Sequence, residues 1–386
     1  MSSTAPARPR SRLVEIDGLR GIAALVVVIN HSLLTLPKLA AAYYSEPVTG
    51  ALANLLVRSP LHAVWDGTAA VLLFFILSGI ALFRAGSGPA FTWRGYYSSR
   101  LPRLYLPVLP AIGWGWVLIT LVPRHSEGLS AWLQARPRDY PIAGIIQDAI
   151  LVAGTSRRIS PLWSLQWEVI FSMALIVYVL VARRLRPPIL VAVCILASAV
   201  GSGLGIPALS YLPIFGVGVA MGCDWDPIIE VGRRLFLKRW RAVAAVAVAI
   251  VASTSPWTLS WFVPIEDSRG ATQPLVLAGL ALAVVIGCSW EPAQRALRSP
   301  VARGLGTVSF STYLVHEPIV IAVGEITRGA VWGVPVAILL SLIVGVGFYW
   351  GVERHAHALA RAINVRVSRA GRKPGPNSNS TAVDTR

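Results

Sequence analysis

The chain reads as an all-α protein, a polytopic transmembrane helical bundle of about ten spans with both termini cytoplasmic. Three observations predict this. Apolar residues make up 55% of the 386 and charged residues only 14%, with a mean hydropathy of +0.62. Soluble domains average about 25% charged residues, so water is not the main solvent of this chain. Ten apolar segments approach the 17–25 residues that cross a bilayer. Basic residues alternate between the loops that join them.

The ten segments are 21–37, 68–83, 105–123, 164–182, 188–206, 210–223, 242–257, 273–290, 306–323 and 332–351. The sixth and seventh are the weakest, being short and broken by small or polar residues. Basic residues concentrate in cytoplasmic loops. With the N-terminus inside, 26 of the 35 Lys and Arg fall on the inner side and 9 on the outer. An odd number of spans would spoil that bias. The expected division is a disordered cytoplasmic arm at 1–12, a membrane domain at 13–360 and a mostly disordered cytoplasmic tail at 361–386, both ends being rich in Pro, Ser, Asn and Arg.

Composition also excludes some classes. The net charge of +17 comes from 32 Arg and 3 Lys scattered between apolar blocks, not gathered on one face. It therefore reads as topogenic charge facing anionic lipid, and no nucleic-acid partner is expected. Cys194, Cys223 and Cys288 stand singly, without the spacing of a disulfide framework or a zinc site, and no metal is expected. The first span resembles a signal peptide in its basic flank, but Asn30 and His31 fall within it. The stretch 142–154 is apolar but too short to span and is interrupted by Gln147 and Asp148. It is expected to be an interfacial or re-entrant piece of the long outer loop.

Ionisable side chains at membrane depth are costly, so each is a functional candidate. His31 stands first. Eleven helical steps separate it from Arg20, a rotation within about 20° of three turns and a rise of about 16 Å. Both therefore share a face, with Asp17 placed to hold Arg20 by an i, i+3 pair. The competing reading is a buried histidine bonded to a neighbouring helix. In the segment 93–107, Pro102 suits the first turn of the third span, which would put Arg100 and Arg103 at its cytoplasmic N-terminus as an anion site; ordinary positive-inside arginine is the alternative. Glu168 falls about one turn inside the outer end of the fourth span, where it must be protonated, paired or wet. Trp163 and Trp167 read as an interfacial aromatic belt, with Trp163 an alternative cavity lining. His316 and Glu317 precede Pro318 in the ninth span, lining a polar cavity or packing at a kink. Ser78 and Gly79 suit close helix packing better than nucleophilic catalysis, since no nucleophile elbow surrounds the serine.

Six segments together carry a resemblance: EIDGLRGIAALVVVINH, FFILSGI, the RLPR loop, LWSLQWE, LGTVSFSTYLVHEP and VERHAHALA. In that order they resemble the acyltransferase-3 family of bacterial integral membrane acyltransferases, over residues 13–360. The resemblance implies acyl transfer, often of acetyl, from acyl-CoA to hydroxyls on sugars of polysaccharides, lipids or secreted metabolites. It maps the family's Arg-x10-His element onto Arg20 and His31, its Arg-x-x-Arg element onto Arg100 and Arg103, and its acidic position onto Glu168. The implied location is the bacterial plasma membrane. Two departures stand out. Glu353-Arg354 is followed by His355 rather than proline, so the last helix need not break there. About 35 residues follow the last span, so the membrane domain is expected to complete the transfer itself.

The implied reaction is O-acyl transfer with acyl-CoA as co-substrate and no resident cofactor. Arg100 and Arg103 would hold the donor's phosphates, with Arg20 contacting the donor or anchoring the first helix. His31 would act as general base on the acceptor hydroxyl. Glu168 would orient the imidazole if the first and fourth spans are adjacent, and otherwise hydrogen-bond the acceptor. The expected partners are acyl-CoA, a carbohydrate, glycolipid or glycosylated metabolite, and membrane lipids. The competing class is a proton-coupled transporter or lipid flippase, which would favour internal repeats that the sequence lacks.

Overall fold

A computed structural model describes residues 13–88, 91–125 and 127–370. The expected arm at 1–12 and the tail at 371–386 lie outside the described residues. Long helices occupy all ten apolar segments: α1 Val14–Leu33, α2 Gly67–Gly86, α3 Trp93–Leu121, α4 Leu162–Arg184, α5 Pro187–Leu204, α6 Pro207–Cys223, α7 Arg239–Ser253, α8 Ile265–Ser289, α9 Pro300–Ile326 and α10 Gly333–Phe348. No strand occurs among the described residues.

Seven helices are long and apolar enough to cross a membrane: α1 to α5, α8, and α10 taken together with its continuation to Ser368. An eighth counts if α6 is joined to Trp225–Leu235, which follows it at a bend of 78°. α7 has 15 residues. α9 has 27 but carries Ser309, Ser311, Thr312, His316 and Glu317. Every residue from Ser311 to Glu325 is buried, so this helix runs through the centre of the bundle and its polar groups face protein rather than lipid.

Local chemistry sets the helix starts. Asp66, Thr92 and Ser299 cap α2, α3 and α9 by accepting the N–H of Ala69, Gly95 and Ala302. Pro187, Pro207 and Pro300 occupy first-turn positions, where a missing N–H costs nothing. Small residues then set the helix crossings. A Cβ on Gly79 would collide with the backbone oxygen of Phe215, and one on Gly218 with that of Ile76, so α2 and α6 cross in backbone contact. Gly21 and Gly306 do the same for α1 and α9. Gly79→Val is expected to cost about 1–3 kcal/mol by overpacking this crossing; an unchanged melting temperature in detergent would show the crossing to be compliant.

Two elements depart from expectation. α3 does not begin at Pro102 but nine residues earlier, at Trp93, with Pro102, Pro107 and Pro110 inside it. Upstream contacts hold those early turns: the Tyr96 hydroxyl donates to the Ser172 carbonyl and that of Tyr97 to the Met173 carbonyl, at 3.1 and 3.0 Å. In a bundle, neighbouring groups make an internal proline tolerable. The second departure is at the other end of the chain. α10 passes through a π turn at Tyr349–Glu353 and continues as Arg354–Ala370, so 361–370 are helical rather than disordered. That extension packs along the start of α3, where the Ser368 and Thr92 hydroxyls lie 3.0 Å apart.

α4 begins deep in the protein. The contacts of Tyr96, Tyr97 and Arg100 with Ser172, Met173 and Glu168 set α3 and α4 antiparallel. By that register Leu162 lies beside the middle of α3, about 20 Å from its first residue. The described residues from 123 to 161 fill the space beyond. Within them, Ile142–Ile150 forms a helix whose last carbonyl accepts from Tyr105 of α3 at 2.8 Å. It presents Ile142, Ile146 and Ile150 outward and buries Gly144 and Asp148. The apolar stretch thus packs beside α3 as a short helix.

Candidate active site

A cavity of about 510 Å³ opens among α1, α2, α3, α4, α9 and the helix after α10. Arg20, Arg100, Arg103 and Arg361 line it, against Asp17, Glu168 and Glu353. The sequence candidates Asp17, Arg20, Ser78, Arg100, Arg103 and Glu168 therefore share one cavity.

A chain of polar contacts crosses its wall. Arg20 Nη2 donates to Ser78 Oγ at 3.2 Å, and Ser78 Oγ donates to Glu168 Oε2 at 2.9 Å. Arg100 Nη2 reaches Glu168 Oε1 at 2.5 Å, and its Nε reaches Ser172 Oγ at 3.0 Å. Arg100 is thus neutralised by Glu168, while Arg20 Nε is buried without a hydrogen-bond partner. Arg103 makes no hydrogen bond or salt bridge among the described residues, though it faces the charge of Glu353. Arg20, Arg103 and Arg361 are the lining arginines for which the structure shows no salt bridge among the described residues.

Two expectations change here. Arg100 and Arg103 stand two to three turns inside α3 rather than at its N-terminus, so free backbone N–H groups do not add to the site. Glu168 does not reach His31. Its partners are Arg100 and Ser78, because the inward start of α4 sets it level with the arginines. Ser78 and Gly79 divide the two readings of their segment: the serine lines the cavity and the glycine makes the helix crossing.

His31 belongs to a second polar cluster just beyond the cavity. Its Nδ1 lies 3.0 Å from Nε2 of His316, which is fully buried. The adjoining Glu317 is also fully buried and accepts from Arg136 Nη1 at 3.1 Å, from Ser160 Oγ at 2.6 Å and from the Ser160 N–H. The Arg136 guanidinium lies over Trp132, 4.5 Å from the ring centre, and Trp132 is 5.3 Å from the His31 ring. The long loop before α4 therefore covers His31. His316 and Glu317 line this cluster, not the cavity. Trp163 lines neither, packing instead on Tyr211 at 5.0 Å and Phe75 at 6.3 Å.

One contact separates cavity and cluster. Tyr313 lines the cavity, its hydroxyl is 2.6 Å from Ser164 Oγ, and its ring is 5.8 Å from that of His316. Sequence reasoning missed Tyr313, although its i, i+3 spacing to His316 was a usable signal. It also missed Arg136, Trp132 and Ser160, which meet His31 and Glu317 only through the path of the loop. Glu353, held by Ser311 Oγ at 2.5 Å and lying 3.5 Å from His357, joins the cavity because the last helix does not break.

A third group clasps the C-terminal end of α1. Asn30 Nδ2 donates to the Tyr43 hydroxyl and the Trp65 carbonyl, both at 2.8 Å, and Trp257 Nε1 donates to Asp66 at 3.0 Å. Burial among these rings lowers the His62 imidazole to about 3, keeping it neutral. Among the described residues, no group of three or more His, Cys, Asp or Glu could hold a metal ion.

Apolar helices around an arginine-lined cavity with buried histidines define a multi-pass membrane protein with a charged cavity inside it. Residues 13–350 match the family described as acyltransferase domain, acyltransferase-3. The chain belongs to that family and is a membrane acyltransferase. No curated protein and no solved structure gives a comparable match.

Proposed function

We propose that this membrane acyltransferase moves an acyl group, acetyl in the first instance, from acyl-CoA to a hydroxyl of a carbohydrate, glycolipid or glycosylated metabolite. The observation that carries the reading is the cavity, whose lining includes Arg20 and Arg103 and also Tyr313, which lies beside His316 and so beside the His31–His316 pair. In this reading the chain lies in a bacterial plasma membrane with ten crossings, both termini are cytoplasmic, and the cavity mouth faces the cytosol. Arg20 and Arg103 take the donor's phosphates, and the pantetheine arm follows the cavity inward. A narrow, long thiol ester suits such a passage, and the Tyr313–Ser164 contact opens for it.

Neutral His31 takes the proton of the acceptor hydroxyl as its oxygen attacks the thioester carbonyl. The carbon–sulfur bond then breaks. The proton passes from the imidazolium to the departing thiolate, leaving an ester and free CoA. Glu168 acts through Arg100, holding the cavity wall in shape.

The direct test is acceptor-dependent release of CoA by the purified protein in nanodiscs. Release is expected with acetyl-CoA, and its absence with every acyl-CoA tried would refute the reading. Charge-assisted hydrogen bonds are worth about 1.5–3 kcal/mol. Arg103→Ala is accordingly expected to raise KM for acyl-CoA by at least about 10-fold, and an unchanged KM would remove Arg103 from the donor site.

A further inference from the structure

The hydrogen-bond chain around His31 fixes which of its nitrogens can act. Nδ1 of His316 lies 2.8 Å from the Tyr313 carbonyl and 3.2 Å from that of Thr312, both in its own helix. Carbonyl oxygens only accept, so this nitrogen carries the hydrogen. A neutral imidazole then has a bare Nε2, which can only accept. The neighbour of that lone pair is Nδ1 of His31 at 3.0 Å, so Nδ1 of His31 must be the donor. The remaining nitrogen of His31, Nε2, is left with its lone pair. No described residue hydrogen-bonds to it, and it is not among the buried unpartnered atoms, in keeping with a ring that is only half-buried.

From this geometry we infer that His316 is a positioning residue, which holds His31 in the Nδ1–H tautomer and so presents Nε2 as the base. The inference rests on the acyl-transfer reading for its catalytic consequence, although the tautomer follows from the contacts alone. His316 does for His31 what a carboxylate does in many hydrolytic sites, orienting the ring and fixing its tautomer through the nitrogen that does not react. It does so without charge. The one carboxylate beside it, Glu317, is already matched to Arg136 and Ser160. When His31 takes a proton at Nε2, its Nδ1–H bond to His316 is kept, so the imidazolium forms without a rearrangement. The helix carbonyls that begin the chain are rigid, since α9 is the buried centre of the bundle. This gives the Tyr-Leu-Val-His spacing a purpose beyond packing.

Two variants and one spectroscopic measurement test the proposal. His316→Phe keeps a flat ring and removes the acceptor. His316→Gln places an amide oxygen near the lost Nε2. With monodisperse elution and melting temperature as controls for folding, His316→Phe is expected to lower kcat by about 100-fold, the scale of general-base contributions. KM for acyl-CoA should not change, because His316 does not line the cavity. His316→Gln is expected to recover about 10-fold of that loss. In ¹⁵N-histidine NMR spectra assigned through His31→Asn, wild-type His31 should show a protonated Nδ1 and a bare Nε2, and His316→Phe should mix the two tautomers. A protonated Nε2 in the wild type, or equal kcat in all three proteins, would overturn the proposal. If the wild type turns over no acyl-CoA, the reading of function fails alone, and the NMR tautomer then decides the proposal by itself.

Discussion

His31→Ala is expected to reduce acyl transfer by about 10² to 10⁴-fold, the range of general-base catalysis, while the protein stays folded and binds acyl-CoA with unchanged affinity. The split follows from geometry. His31 lies outside the cavity that would hold the donor, separated from it by Tyr313, so its loss leaves Arg20 and Arg103 in place. It is also only half-buried, and its one hydrogen bond goes to His316. Alanine removes the ring's contacts with Trp132 and His316 and leaves His316 Nε2 buried without a donor, the latter a cost of about 1–3 kcal/mol. Single-turnover kinetics with acyl-CoA in excess, beside a binding isotherm for the donor, measure the two quantities separately. Full activity in this variant would remove His31 from the chemistry.

The second large effect is expected at Arg100, and it is one of stability. Arg100 and Glu168 pair at 2.5 Å with side chains only 11% and 16% exposed. Removing one partner of such a pair leaves an uncompensated charge and costs about 3–5 kcal/mol. Arg100→Ala should therefore lower the melting temperature and the folded yield. Replacing both partners, as Arg100→Met with Glu168→Met, should restore most of that stability, since apolar side chains of similar volume carry no buried charge. Activity should not return with it, because the polar chain from Arg20 through Ser78 to Glu168 is lost. Thermal unfolding of the wild type, Arg100→Met, Glu168→Met and the double variant in one detergent completes a double-mutant cycle. A stable single variant would mean that water or lipid headgroups already screen Glu168.

Those expectations rest on residues that the sequence singled out, yet it assigned them different neighbours. Glu168 was legible as a costly charge inside an apolar segment, and Arg20, Arg100 and Arg103 as arginines at the starts of spans, and they do share a cavity. That Glu168 pairs with Arg100 and Ser78 rather than with His31 was not legible. It depended on where α4 starts, and Leu162 begins that helix well inside the bundle. The prolines of α3 misled for a related reason. Pro102 is a fair signal for a first turn, but the Thr92 cap and the tyrosine contacts to α4 carry the helix nine residues further back.

What the sequence determined by itself was the class of the fold and the inventory of the site. Apolar runs of bilayer length force helices, because no water is present to satisfy an open backbone. Rare charges within those runs mark where function can be sought, and the order of the motifs carries the family. The tertiary structure alone decided the grouping: Arg20, Arg100, Arg103 and Glu168 in one cavity, His31 and His316 in the polar cluster beside it. The physical reason is that lipid does not choose partners between apolar helices. Backbone-close crossings at Gly79 with Gly218 and Gly21 with Gly306, and the loop that folds back over His31, make that choice. His316 meets His31 only because those crossings bring α1 and α9 together.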